Sequence, residues 1–219
     1  MMIKTLIDFS EKYGLLPRGS RILCAVSGGA DSIAMLHMLY SVRDILEIDL
    51  VCAHYNHGIR ELAKRDEQFV KDFCSGIGVP FYCGYGNVPA QAEAAGEGLE
   101  EAARRMRYGY LEEVCDLTGA ERIATAHTAD DMIETVLMNF ARGSGSLGAA
   151  GIPPVRGRIV RPMLELTRAD IEKYIEKNGL SHIEDETNAD EQYTRNRIRK
   201  QIAPVLKSVN SKAAENFSA

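Results

Sequence analysis

Residues 22–32 read Ile22-Leu23-Cys24-Ala25-Val26-Ser27-Gly28-Gly29-Ala30-Asp31-Ser32. The first five are apolar and strand-prone, and a helix is expected to open at about Ser32. A strand, a Gly-rich turn and a helix N-terminus together leave several backbone N–H groups aimed at one spot, which is a phosphate-binding layout. Gly28 and Gly29 let the backbone approach an anion and adopt positive φ. Ser27 and Ser32 add hydroxyl donors. Asp31 would repel phosphates unless a cation sat between them, so it reads as a Mg²⁺ ligand. A plain strand-to-helix turn with a cap explains one Gly and one Ser or Asp, but not two Gly, two Ser and an Asp together. The spacing is not Gly-x-x-x-x-Gly-Lys-Ser/Thr, which excludes that class of phosphate loop.

Outward from this loop, strand-like and helix-like segments alternate. Strands are predicted at Arg21–Val26, Asp49–His54, Val79–Cys83 and Arg122–Ala126. Helices are predicted at Met1–Tyr13, Ser32–Asp44, Glu61–Ile77, Leu99–Leu117 and Asp130–Ala141. Strands apolar throughout, alternating with helices, imply an α/β fold with a parallel sheet covered on both faces. Ligands of such sheets bind beyond the carboxyl ends of the strands. The Ser27 loop, His54–His57 and His127–Asp131 all follow strands and should converge on one rim. Beyond Ala141 the pattern changes. Residues 142–148 form a Gly/Ser loop, a candidate lid within the Gly143–Gly151 stretch. Val155–Val160 reads as a short hairpin or one further strand. Thr167 and Asp170 resemble a capping box opening a helix that ends at Gly179. A last helix is predicted at Tyr193–Leu206, interrupted by Pro204. This division gives a domain at 1–165 and a small helical extension at 166–219.

Bulk properties narrow the class. The chain has 219 residues, 45% hydrophobic and 26% charged, ordinary for a soluble domain with a real core. No apolar run approaches the ~20 residues of a membrane span, and the N-terminus lacks a signal peptide's apolar region, so a cytoplasmic location is expected. Five cysteines, none in Cys-x-x-Cys, argue against a disulfide framework, an iron–sulfur cluster or a zinc site. With net charge −5 the whole chain is no polycation. Positive charge is local, in Arg104/Arg105/Arg107, Arg156/Arg158/Arg161 and Arg195/Arg197/Arg199/Lys200. These can build an RNA-binding face, although any one cluster is most simply a solvated helix face.

A second signal is His127-Thr128-Ala129-Asp130-Asp131-Met132-Ile133-Glu134. Asp131 and Glu134 are three apart and share a helix face. Carboxylates at a strand end suit Mg²⁺ or the ammonium of an amine substrate; an acidic first helical turn is the plain alternative. His54-Tyr55-Asn56-His57-Gly58-Ile59-Arg60 follows the second strand and suits an adenine or ribose pocket. In Glu100–Tyr108, Glu100 and Arg104 form an i,i+4 pair, and Arg104 and Arg107 share a face that reaches a phosphate.

The ordered set resembles the bacterial tRNA(Ile)-lysidine synthases, within the N-type ATP pyrophosphatases. It runs collinearly from about Leu23 to Leu206. It comprises Ser27–Ser32, His54-x-x-His57-Gly-x-Arg60, Glu100-Glu101 through Arg107-Tyr108, His127 through Thr135, Arg142-Gly143, Arg161-Pro162, Asp185-x-x-Asn188 and Arg195-Asn196-x-Ile198-Arg199.

The resemblance implies a Rossmann-like sheet of the adenine nucleotide alpha hydrolase (PP-loop) type. It also implies a C–N ligase using ATP and Mg²⁺. ATP adenylates O2 of the wobble cytidine in a CAU-anticodon isoleucine tRNA and releases pyrophosphate. The amine of free L-lysine then attacks C2 and expels AMP. On this resemblance Asp31, Arg107, Asp131 and Glu134 are catalytic. Ala25, Ser27, Gly28, Gly29, Ala30, Asp31, Ser32, His54 and His127 hold ATP. Asp31 and Asp131 hold the metal, Asp131 and Glu134 the lysine. Arg104, Arg142, Arg195 and Arg199 contact tRNA. Two departures stand out. Thr128 stands where the family often has a second His. The chain also stops in what reads as mid-helix, so a catalytic domain cut before the family's tRNA-docking domains is expected. Rival readings are a tRNA thiolase of the same superfamily, which wants reactive cysteines, and a non-catalytic adenine-nucleotide-binding module, which has no use for the acidic rim. The oligomeric state stays open, a homodimer included.

Overall fold

A computed structural model of the protein describes residues 2–58, 63–144, 150–184, 194–210 and 213. Arg60, Asp185, Asn188, the first residues of the helix expected from Glu61, and the centre of the candidate lid (145–149) lie outside them. Six strands form one sheet: β1 (Arg21–Ala25), β2 (Asp49–Asn56), β3 (Phe81–Tyr85), β4 (Arg122–Ala124), β5 (Val155–Arg156) and β6 (Ile159–Val160). Their order is β3-β2-β1-β4-β6-β5. Pairing is parallel except for the terminal β5–β6 hairpin. The hairpin and the further strand anticipated near residue 155 are thus both present.

β1 sits centrally, with β2 on one side and β4 on the other; Cys24 pairs with Cys52, and Leu23 with Ile123. The sequence order of the strands reverses at β1. The crevice beyond the carboxyl ends of β1 and β4 is therefore the topological switch point where open α/β sheets take their ligands.

The strands are apolar throughout because both faces are covered. Ile22, Cys24 and Val26 pack with Ile33 and Leu36 of α2 (Ala30–Leu46). Leu23, Val51, Ala53 and Ile123 point the other way, onto Leu111, Val114 and Cys115 of α5 (Leu99–Thr118). Side chains such as Ile33 and Leu36, fully buried, contribute about 1.5–3 kcal/mol each. Helices α1 (Met2–Tyr13), α3 (Ala63–Ile77), α4 (Val88–Ala95), α6 (Ala129–Ala141) and α7 (Arg168–Asn178) complete the layers. None of the described helices is long and apolar enough to cross a membrane.

Several boundaries differ from the sequence expectation. α2 opens at Ala30, two residues early, because Gly29 itself is the extended N-cap. β3 begins at Phe81 and not Val79, since the Val79 N–H closes the end of α3 on the Cys74 carbonyl. α4 was not anticipated, although its punctuation is explicit: Asn87 accepts from the Ala90 N–H, Pro89 sits in the first turn, and Gly96 ends it at φ 63°. The last predicted helix is a composite of α8 (Thr194–Arg197), a π-helical stretch (Ile198–Ile202) and α9 (Ala203–Val209). The Ala203 N–H reaches back five residues to the Ile198 carbonyl. This wide turn precedes Pro204, which lacks an N–H and occupies the first turn of α9, so the proline starts a helix here.

Candidate functional site

The phosphate loop is organised from within. The N–H groups of Ser27 and Gly28 both donate to Ser32 Oγ at 3.2 Å, and that hydroxyl donates to the Gly29 carbonyl at 2.9 Å. Ser27 Oγ lies 3.2 Å from Ser32 Oγ. Ser32 thus turns inward and shapes the loop. Ala25 ends β1 directly beneath. Gly29, having no side chain, caps α2 without filling its mouth, so the first-turn N–H groups stay open to an anion. Gly28 adopts φ +99°. A Cβ there would stand 2.5 Å from Ile183 Cδ1. The residues after α7 lie across the loop: the Ile183 N–H donates to the Gly28 carbonyl at 2.9 Å, and Ile183 forms a parallel bridge with Gly29.

Three acidic residues face this loop from two helix N-termini. Asp131 closes a capping box on α6, its Oδ2 accepting from the Thr128 N–H at 2.8 Å and the Thr128 hydroxyl at 3.1 Å. That is the local role of Thr128. Asp131 Oδ1 accepts from Arg195 Nη2 at 2.7 Å. Glu134, 1% exposed, accepts from Arg195 Nε at 2.6 Å and Arg199 Nε at 2.6 Å. Asp31, in the first turn of α2, accepts from Arg168 Nη1 through both oxygens at 2.9 and 2.8 Å. Burial pushes the Asp31 carboxyl above its ordinary range, the Arg168 guanidinium pulls it down, and the nearby Asp131 charge pushes it up again. Asp130, the fourth carboxylate, accepts from the Arg168 N–H at 2.7 Å and pairs with Lys207.

Each rim carboxylate therefore meets a cation from the C-terminal extension. Arg195 and Arg199, read from sequence as RNA contacts, lie on Asp131 and Glu134. Arg168 and Lys207 were missed: they come from segments distant in sequence, and the Thr167–Asp170 capping box around Arg168 signals a helix start and no site.

His54 is buried, and its Nδ1 donates to the Val26 carbonyl at 2.9 Å, bracing the strand end that launches the loop. Burial lowers its pKa. His127 Nδ1 lies 3.0 Å from Thr125 Oγ1. Burial, then the charges of Arg161, Arg195, Arg107 and Arg104, push its pKa down to about 3, so it is neutral. Arg107 is lowered by burial and sits 5.3 Å from the Tyr108 ring centre. The expected Glu100–Arg104 pair is not formed; Arg104 turns to the Tyr108 ring at 5.0 Å, and its neighbour Arg105 pairs with Glu97 at 3.1 Å. Arg142 caps the far end of α6 and its side chain is exposed there, away from these groups.

Among the described residues, no group of three or more His, Cys, Asp or Glu is fit to hold a metal alone. Asp31 and Asp131, close enough to feel each other's charge, offer two hard oxygen ligands. This suits a Mg²⁺ ion whose remaining ligands are phosphate oxygens and water. Their present partners, Arg168 and Arg195, show that the position demands positive charge.

Comparison with known proteins bears on the family and the fold. The family model described as a PP-loop domain matches residues 3–206. The tRNA(Ile)-lysidine synthase of Geobacter sulfurreducens is 40% identical over 220 residues, covering 99% of this chain and 46% of that protein. That of Caldanaerobacter subterraneus subsp. tengcongensis is 39% identical over 209 residues, covering 95% and 45%. The bifunctional protein TilS/HprT of Listeria monocytogenes is 40% identical over 218 residues, covering 98% and 34%. The chain thus spans about a third to a half of the length of these relatives. Among solved structures, the U34-tRNA thiolase NcsA from Methanococcus maripaludis superposes with a TM-score of 0.80 at 16% identity, covering 98% of this chain and 75% of that one. At that identity the match speaks for the fold alone.

Proposed function

We propose, from the premise that the chain belongs to the PP-loop domain family, that it is the ATP-splitting catalytic domain of a tRNA(Ile)-lysidine synthase. The observation that carries this reading is the meeting, at one switch point, of an open phosphate loop with Asp31, Asp131 and Glu134. The relatives named tRNA(Ile)-lysidine synthase support a tRNA(Ile) substrate; the CAU anticodon, free lysine as the second substrate and a cytoplasmic location are taken from the resemblance as part of this proposal.

In the first step the wobble cytidine O2 attacks the α-phosphorus of ATP, the bond to the β-phosphate oxygen breaks, and pyrophosphate leaves. The open first-turn N–H groups of α2, where the loop ends, stabilise the charge growing on that leaving group. Asp31 and Asp131 would hold Mg²⁺, which when bound offsets phosphate charge. In the second step the lysine amine, having lost a proton, attacks C2; the C2–O bond breaks and AMP leaves. Asp131 and Glu134 would hold the lysine ammonium. It would compete there with Arg195 and Arg199, so admission of lysine requires one guanidinium to give up a bond. The extension 166–219 supplies those guanidiniums and completes the site begun by residues 1–165.

The cysteines disfavour the thiolase reading. Cys24, Cys52, Cys74 and Cys115 are buried, and burial raises the Cys83 thiol to about 11, leaving no ready thiolate. The test is AMP and pyrophosphate release from Mg-ATP with unmodified CAU-anticodon tRNA and lysine each present or omitted. Turnover that needs both, with lysidine detected by nucleoside mass spectrometry, supports the reading. ATP binding without release under any combination overturns it for this chain.

A further inference from the structure

Across the rim from the phosphate loop lies a second concentration of charge, built around Arg107 and extending to Arg104 and Arg161, two arginines with no part in the steps above. Arg161, which follows β6, is 2% exposed. Its Nη1 donates to the Pro153 carbonyl at 2.5 Å, while its Nε is buried without a partner. Arg104 and Arg107 project from α5 against the Tyr108 ring, at 5.0 and 5.3 Å. The buried Tyr108 hydroxyl stands between Arg107 and Arg161, close enough to each to favour its charged form. Among the described residues no carboxylate pairs with Arg104, Arg107 or Arg161, whereas Arg168, Arg195 and Arg199 each have one. Uncompensated cations this close repel one another, and burial sharpens the cost. Neutral His127 adds no charge to them. One orphaned donor, Arg161 Nε, and three guanidiniums without a carboxylate are what an oxyanion would satisfy.

The side of the sheet says which oxyanion. The loop opens into α2 on one face, packed on Ile22 and Cys24, whereas Arg104 and Arg107 ride on α5, which covers Leu23 and Ile123 on the other. A nucleotide whose base enters the crevice to meet ATP leaves its own backbone phosphate outside it. We propose that Arg161, Arg107 and Arg104, with the Tyr108 hydroxyl, form a phosphodiester pocket that grips the RNA backbone beside the target nucleotide. The proposal rests on the RNA-modifying reading above.

Arg161→Gln and the exposed Arg104→Gln test it; the second, at a surface helix position, guards against a folding defect in the first. Binding is measured by fluorescence anisotropy at several salt concentrations, using a CAU anticodon stem-loop and a same-length RNA of unrelated sequence. Mg-ATP binding is measured by calorimetry. Each variant is expected to weaken both RNAs about tenfold and to lower the salt slope by about one, with Mg-ATP affinity unchanged. Loss of Mg-ATP binding with RNA affinity intact overturns the proposal in favour of the nucleotide's own phosphates. No change in either ligand overturns it in favour of a structural role, and so does a wild-type protein that binds neither RNA. If the wild type makes no lysidine but binds RNA through these arginines, the reaction assigned above falls and the pocket stands. If lysidine forms and RNA affinity ignores the arginines, the reverse holds.

Discussion

Arg199 reaches Glu134 across 65 positions of sequence, its Nε 2.6 Å from Oε1 and its Nη2 3.1 Å from Oε2. The carboxylate is almost wholly buried while the guanidinium keeps partial access to water. The pair is thus a buried anion held by a cation at the surface, and the anion bears the cost if the cation is removed. Arg199→Met leaves Glu134 with Arg195 alone. A loss of about 2–3 kcal/mol is expected. Thermal unfolding should show a midpoint lower by about 4–12 °C. An unchanged midpoint would mean that Arg195 satisfies the carboxylate by itself.

Asp31→Asn keeps the shape of the first turn of α2 and removes the charge that Arg168 now neutralises. Pyrophosphate release should fall on the order of 10²–10³-fold, the scale at which one electrostatic contact to developing charge is lost. The circular dichroism spectrum should be unchanged. Full activity would remove Asp31 from the reaction.

Gly28→Ala meets two obstacles, a backbone at φ +99° and the Ile183 side chain 2.5 Å from the new methyl. ATP affinity, read by a fluorescent nucleotide, should drop at least tenfold, corresponding to about 1.4 kcal/mol. Adding Ile183→Ala removes the collision but not the dihedral strain. Partial recovery in the double variant is expected; full recovery would show that the φ angle costs nothing there.

His127 is held neutral, with its pKa at about 3. In the unfolded chain a histidine titrates near 6.5. Between these values the unfolded state binds the extra proton, so acid favours unfolding and stability rises with pH. Denaturant titrations should therefore lose stability as pH falls below about 6.5, by up to about 1.4 kcal/mol per unit. In His127→Asn this part of the slope should vanish. A slope equal to that of the wild type would assign the acid sensitivity elsewhere.

Local signals in the sequence were read correctly where chemistry and spacing coincide. The Ser27–Ser32 turn, the Thr167–Asp170 capping box and the shared face of Asp131 and Glu134 are all present. Each spans at most a few residues. What escaped reading depends on distant partners: Arg168 on Asp31, Ile183 on Gly28, and the strand order that places β1 between β2 and β4. His54, expected beside ATP, donates to the Val26 carbonyl, and Arg142, expected at tRNA, stands exposed at the end of α6. The capping role of Thr128 was legible in Thr128-x-x-Asp131 by the same rule that found Thr167, yet attention to the missing histidine hid it.

The wide separation of the paired charges also has a consequence in time. Asp31 meets Arg168 from 137 positions upstream, and Glu134 meets Arg195 and Arg199 from 61 and 65. Synthesis runs from the N-terminus, so Asp31 is made long before Arg168, and Glu134 before Arg195 and Arg199. At ordinary elongation speeds the wait between Asp31 and Arg168 is on the order of ten seconds. Through that interval Asp31 is without the guanidinium that neutralises it in the finished fold. The charge balance of the rim is therefore completed last, by the segment that is synthesised last.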